Sequence, residues 1–298
     1  ILKLSAANGP SGFERDVGAL AAGMLAPYMD DVQTDVLGNV IGLRRCGKEN
    51  AGRLMLDAHL DEIGFVVTGH EEGFLRIAAL GGVDARMLPA AELKILTDPP
   101  VFGAVAALPP HIQKPDETDK AVKIEELFLD VGLGQDEAQK TIPVGTPVVY
   151  GAAARVFGAR LVAGKALDDR SCFACILRAL ELLKDEKLDV DLYVLASVQE
   201  EVGTRGAKTG AFAVGPDWCV VVDVDHAKTP DHTRYDAKEV GGGVVVTRGP
   251  NTNRDLTDRA IRLAWQNGIK YQLGVDAGDS GTNARVIQLA GTGVATAL

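Results

Sequence analysis

At 298 residues, with 46% hydrophobic and 24% charged content, the chain has the composition of a globular protein and room for one large domain or two moderate ones. Lys and Arg number 31 against 41 Asp and Glu, a net charge of −10 with no basic block, which excludes nucleic acid as an expected partner. Four cysteines without framework spacing imply a reducing, cytoplasmic setting, and no membrane association is expected, because the longest early apolar run, Val17 to Met29, is too short to cross a bilayer and follows Glu14-Arg15-Asp16 rather than a basic leader.

In chain order, Ser11 or Gly12 is placed to cap a helix running to about Pro27, with Phe13, Val17, Leu20 and Leu25 near helical spacing. Strands are predicted at 31–36, 39–44 and 53–58. From about 66 to 160 the texture changes to short β-prone runs such as FVVTGH, GFLRIAAL and AELKILT, broken by Gly and Pro, with little helical period. This stretch reads as an all-β module, a small barrel or sandwich, inserted into an α/β domain. Strands at 190–198, 218–224, 243–248 and 269–275 follow, interleaved with helices near 169–184 and 253–267. A helix at about 282–291 and a strand from 294 complete the alternation that marks an α/β sheet. The expected domains are therefore 1–65 with 160–298, α/β, and 66–159, all-β.

Four polar clusters fall at the ends of these elements: His59-x-Asp61 after strand 53–58, Asp168-Asp169 opening helix 169–184, Glu200-Glu201 after strand 190–198, and Asp223-x-Asp225-His226 after the apolar part of its strand, 218–222. Ligands of open α/β sheets bind outside the carboxyl ends of the strands. Each cluster alone has a plainer reading: a hydrogen-bonded pair, a helix cap, a solvated surface. Together at one sheet edge they crowd carboxylates that repel unless a cation offsets them, and a pair of divalent ions resolves this simply. Cys172-x-x-Cys175 lies a turn inside a helix and reads as buried packing rather than a redox pair. The Gly241-Gly242-Gly243 run lacks the helix opening and lysine of a nucleotide loop.

The segments DAHLDEIGF, GKALDDR (164–170), SVQEEVGTRGA (197–207) and VVDVDHA (221–227), in this order, resemble the tetrahedral dinuclear aminopeptidases, the glutamyl or deblocking aminopeptidases of metallopeptidase family 42. The likeness runs from NGPSGFE at 8–14 to GDSGTNA at 278–284 and includes the inserted β module. It implies a mixed-sheet α/β/α metallopeptidase core with a barrel-like insert that serves oligomerisation and substrate access. It further implies two divalent metal ions, zinc or cobalt. His59 and Asp223 would hold one ion and Glu201 the other, with Asp168 bridging, Glu200 as general base and Asp61 orienting the His59 imidazole. A cis peptide bond is implied between Asp168 and Asp169. The loop at 278–285 would border the substrate pocket, making Asp279, Ser280, Thr282 and Asn283 candidate substrate contacts. In the family a histidine on a later strand closes the second metal shell; none of His70, His111, His226 or His232 fits that position, so the second site is expected to be incomplete over residues 1–298.

The leading reading is thus an aminopeptidase that hydrolyses N-terminal residues from peptides, assembled as a homo-oligomer of dimers building dodecamers. The alternatives are a metal-dependent deacylase or carboxypeptidase on the same core, a glycoside hydrolase (endoglucanase-type) using Glu200 or Glu201, and an inactive assembly module. A glycoside hydrolase needs two carboxyls facing each other across a sugar bond, roughly 5–9.5 Å apart, which adjacent residues on one strand end do not easily provide.

Overall fold

The strand expected at 53–58 forms over Arg53–His59, with a parallel neighbour on each side. The computed structural model describes residues 1–298 apart from 108, 110–121, 153, 160 and 231–236. In chain order its elements begin α1 (Leu2–Ala6), α2 (Arg15–Leu25), β1 (Asp31–Thr34), β2 (Val40–Arg44) and β3 (Arg53–His59). Next come β4 (Gly64–Glu71), β5 (Phe74–Leu80), β6 (Glu92–Ile95), β7 (Val101–Ala106), β8 (Phe128–Asp130), α3 (Gln135–Thr141) and β9 (Pro147–Tyr150). A short hairpin, β10 (Arg155–Phe157) and β11 (Leu161–Ala163), precedes α4 (Leu167–Leu182). The chain continues through β12 (Asp191–Ser197), α5 (Arg205–Val214), β13 (Trp218–Val221), β14 (Val244–Arg248), α6 (Arg254–Gln266), β15 (Tyr271–Val275), α7 (Ala284–Ile287) and β16 (Ala295–Ala297).

Contacts divide the chain into two units, one of residues 17–60 and 168–298 (with Ile1) and one of 2–16 and 61–167. The sequence division kept 1–65 whole, whereas the contacts group residues 2–16 with the second unit.

In the first unit a six-stranded mixed sheet has the order β1-β2-β12-β3-β13-β16. β12, β3, β13 and β16 run parallel, while β2 and β1 add antiparallel pairs. A strand flanked on both sides in a parallel sheet is covered on both faces, which is why β3 carries the consecutive apolar residues Leu54, Met55 and Leu56 rather than an alternation. Met55, Ile41, Leu195 and Cys219 from four strands share a core with Ala207 and Ala211 of α5 and Ile287 of α7. The register sets Ser197 opposite His59, and the ladder continues past the strand end through the Leu60 amide to the Ser197 carbonyl (2.8 Å). β14 and β15 pair in parallel apart from this sheet, joined through α6.

The second unit contains a closed antiparallel barrel of order β4-β5-β8-β7-β6-β9. Alternation is clear in β7, where Gly103 and Val105 face inward between more exposed neighbours, and Phe65, Leu75, Leu93, Ile95, Leu129 and Val148 fill the interior. His70 belongs to this barrel, its Nε2 lying 2.8 Å from the Ile142 carbonyl.

Three expectations need correction. The first long helix starts at Arg15, so neither Ser11 nor Gly12 caps it; the Ser11 hydroxyl donates instead to Asp61 (2.6 Å). The helix expected at 282–291 contracts to Ala284–Ile287. Helix α5 was not foreseen, because Gly206 and Gly210 lower helix propensity. Both glycines instead permit close approach: a Cβ at Gly210 would lie 2.6 Å from Leu195, and one at Gly206 would lie 2.3 Å from the Val198 carbonyl. Among the described residues no helix is long and apolar enough to cross a membrane.

Candidate metal centre

Because β12, β3 and β13 are parallel neighbours, their carboxyl ends open on one edge of the sheet, and each delivers a polar side chain there. β3 ends on His59, the chain after β12 reaches Glu200 and Glu201 three and four residues past Ser197, and the chain after β13 reaches Asp223 two residues past Val221. Asp168 arrives at the start of α4, where the Asp168–Asp169 peptide is cis. Ligand atoms of His59, Asp168 and Asp223 lie within 4.8 Å of one another. His59 Nε2 lies 3.1 Å from Asp168 Oδ1 and 3.9 Å from Glu200 Oε2. His59 and Glu200 are buried (1% and 9% exposed), whereas Asp168 remains open to the cleft. Glu201 lines the same cleft of about 1670 Å³, with Ser280 and Thr282 on its wall. An imidazole nitrogen meeting two carboxylates over an open cavity, with further carboxylates alongside, is a donor set suited to a divalent ion that keeps a free position.

Buried backbone contacts fix these groups. The His59 amide donates to Asp169 Oδ2 (3.2 Å), and Arg170, itself 1% exposed, donates from Nε to the Leu60 carbonyl (2.7 Å). Burial pushes the Asp169 carboxyl well above the usual range, with His59 pulling it down in part.

The remaining candidates divide. Asp61 is fully buried and accepts the Ser11 hydroxyl. Asp279 is exposed. Ser280 and Thr282 hydrogen-bond each other (2.9 Å) at the cleft wall. Asn283 points into the protein, donating from Nδ2 to Asp57 (2.8 Å) and Ser197 (2.9 Å). Among the described residues Asp57 Oδ1 and Asn283 Oδ1 have no hydrogen-bond partner. Burial pushes the Asp57 carboxyl up to about 7, against the opposing hydrogen bonds from Asn283 and Ser197. Of the Cys172-x-x-Cys175 pair only Cys172 is buried; Cys175 is exposed, so packing accounts for one of the two. Both line the cleft, and burial raises both thiols, which makes them poor nucleophiles. His111 and His232 lie outside the described residues.

Sequence reasoning assigned no role to two buried polar residues beside these strand ends, Asp57 and Asn39. Asp57 hid inside an apolar strand. Asn39, fully buried, sits in a DVLGN stretch that reads as an ordinary turn, yet it reaches across to Val198 and Gly206 on either side of the Glu200-Glu201 segment. Only its polarity directly before a buried strand signals it.

A mixed sheet whose carboxyl edge gathers histidine and carboxylates over an open cleft, in a chain that also forms a closed barrel between β3 and β12, provides a candidate metal site of the kind used in metal-assisted hydrolysis. The chain belongs to the M42 glutamyl aminopeptidase family, whose model matches residues 38–298. It is 33% identical to a lysyl aminopeptidase of Pyrococcus furiosus over 303 aligned residues, covering 99% of this chain and 86% of that protein. The fold matches a TET aminopeptidase of the marine sediment archaeon Thaumarchaeota archaeon SCGC AB-539-E09, with TM-score 0.91, 34% identity and coverage of 99% and 85%. It also matches the TET1 peptidase of Pyrococcus horikoshii, described as assembling into a tetrahedron or a large octahedral shell, with TM-score 0.84, 27% identity and coverage of 99% and 87%.

Proposed function

We propose that this chain is a metal-dependent aminopeptidase that removes N-terminal residues from peptides through two divalent ions, zinc or cobalt. The observation that carries this is the approach of His59, Asp168 and Asp223 to within 4.8 Å, with Glu200 beside them. His59, Asp168 and Asp223 would hold one ion, and Asp168 with Glu201 the other. When bound, the ions would polarise the scissile carbonyl and bring a water toward ionisation near neutral pH.

The protein's own part is proton transfer and orientation. Glu200, 9% exposed and 3.9 Å from His59 Nε2, is the base that takes the water proton and delivers it to the leaving amine. Its burial limits competing solvent. Asp61 is assigned to orient the imidazole, and Ser280 and Thr282 to border the substrate. The barrel is assigned to assembly of a homo-oligomer, by analogy with the described shells of the Pyrococcus horikoshii protein. Glu200 and Glu201 are adjacent in one turn, which argues against a pair of carboxyls straddling a sugar.

The test is chelation followed by readdition of Zn²⁺ or Co²⁺, assayed on aminoacyl amides, N-acylated amino acids, C-terminal peptide bonds and a cellulose analogue. Activity confined to free N-termini and restored by metal is expected. Peptidase activity indifferent to chelation, or activity on acylated or sugar substrates alone, would overturn the reading.

A further inference from the structure

We propose that Asn39 is the positioning residue that holds the turn carrying Glu200 and Glu201, acting through the backbone of Val198 and Gly206. The inference rests on the functional reading above for the roles of the two glutamates; the clamp itself stands on geometry alone.

The segment from Val198 to Gly206 leaves β12 and returns at the start of α5. Its base is closed by one hydrogen bond, the Gly206 amide to the Val198 carbonyl (2.9 Å). Inside the loop the Glu200 carbonyl accepts from the amides of Gly203 (2.9 Å) and Thr204 (2.8 Å), and the Gln199 carbonyl accepts from Arg205 (3.2 Å). Two residues that are not glycine occupy the left-handed region, Gln199 at φ 55° and Thr204 at φ 54°, flanking the glutamates. That region disfavours side chains with a Cβ, and such conformations persist where the surroundings over-determine them.

Asn39 supplies that determination. Its Oδ1 accepts from the Val198 amide (3.1 Å) and its Nδ2 donates to the Gly206 carbonyl (3.0 Å), so one amide side chain bridges both ends of the loop. Nδ2 also donates to Asp35 Oδ2 (2.7 Å), with Thr209 Oγ1 further off at 3.3 Å. Asp35 is anchored in turn, its Oδ1 accepting from the amides of Leu37 (2.9 Å), Gly38 (2.9 Å) and Asn39 (3.0 Å). The amide is therefore held from behind before it meets the loop. The fit leaves no slack: a Cβ at Gly206 would lie 2.3 Å from Asn39 Oδ1. Among the described residues the Asn39 side chain bonds to Asp35, Val198, Gly206 and Thr209 and to neither glutamate, so its effect passes through the backbone.

The experiment pairs hydrogen exchange with kinetics on Asn39→Ala and the milder Asp35→Ala, which loosens the amide from its outer side. In Asn39→Ala, exchange of peptides spanning 198–206 is expected to accelerate at least about 10-fold while those of β3 and α4 keep wild-type rates. On the metal-loaded enzyme, kcat is expected to fall roughly 100-fold with KM within about threefold, as displacement of a catalytic group by about an ångström produces. Asp35→Ala is expected to shift both readouts in the same direction by less. Unchanged exchange at 198–206 in both variants would overturn the clamp. So would a loss of kcat matched by loss of folded protein. If the wild type shows no metal-dependent peptidase activity, the functional reading fails, while the exchange comparison still decides whether Asn39 holds the turn.

Discussion

Replacing Lys165 by Met tests how the 2–16 and 61–167 unit is tied together. Lys165 Nζ lies 2.8 Å from both oxygens of Glu62 and 2.9 Å from the Ala7 carbonyl, and Glu62 Oε1 also accepts from the Gly9 amide (3.0 Å). Both side chains are buried, at 7% and 1% exposure. The Ser5 hydroxyl adds a bond to the Lys165 carbonyl. Lys165→Met strips the cation from a carboxylate that water cannot reach, and breaking a buried pair on one side costs about 3–5 kcal/mol. Against a total stability of about 5–15 kcal/mol this is large. Glu62→Gln in the same background removes the carboxylate charge while keeping an acceptor for Gly9, so the double variant should recover about 2–3 kcal/mol, a coupling measurable by a mutant cycle. Urea titration of the metal-free protein, with hydrogen exchange of peptides spanning residues 4–11, separates this unit from the other, because a two-unit chain need not unfold in one step. A cost under about 1 kcal/mol for Lys165→Met, or a double variant as unstable as the single, would refute the reasoning.

The Asp57 carboxyl, pushed up to about 7 in the folded protein, loses its proton at lower pH in the unfolded chain. Its contribution to metal-free stability is therefore full below about pH 4 and falls as pH rises toward 7, by at most about 4 kcal/mol at 1.36 kcal/mol per pKa unit; compared with wild type, Asp57→Asn should lack that contribution, and a difference between the two proteins that does not change with pH between 5 and 8 would count against it. His59→Ala and Asp168→Asn should each weaken Zn²⁺ binding at least about 10-fold by calorimetric titration, with melting temperature of the metal-free protein little changed for exposed Asp168. Gly206→Ala should destabilise by about 1–3 kcal/mol through overpacking against Val198 and Asn39, read as a lower urea midpoint; a neutral result would mean the α5 start can shift.

What was legible in the sequence follows from the range of the interactions involved. β3, β12 and β13 announce themselves because burial on both faces of a parallel sheet forces a local apolar run, and the barrel announces itself through Gly- and Pro-broken alternation. The polar clusters were legible for the same reason: each interrupts an apolar strand end, and charge there has few cheap explanations. Helix α5 was illegible because its glycines answer to Leu195 and Val198 across the fold rather than to helix propensity. The short α7 was overcalled because helical residues at 288–291 are turned aside by Gly291 and Gly293, both at positive φ.

The supporting residues escaped for a deeper reason. Asn39 meets Val198 and Gly206 across separations of 159 and 167 residues, Lys165 meets Glu62 across 103, and Asn283 meets Asp57 across 226. No window of sequence contains both partners, so an Asn before a strand and a Lys after a Gly look like turn chemistry. The candidate ligands differ in kind from the residues packed around them. A ligand must carry a particular functional group at a strand end, so its type and place can be recognised alone. A support needs only to complete whatever backbone group its distant neighbour leaves open, and any of several polar side chains can do that. Hence the chemistry of this edge is visible from the chain, while the strictness with which Glu200 and Glu201 are held emerges only when β2, β12 and α5 are brought together.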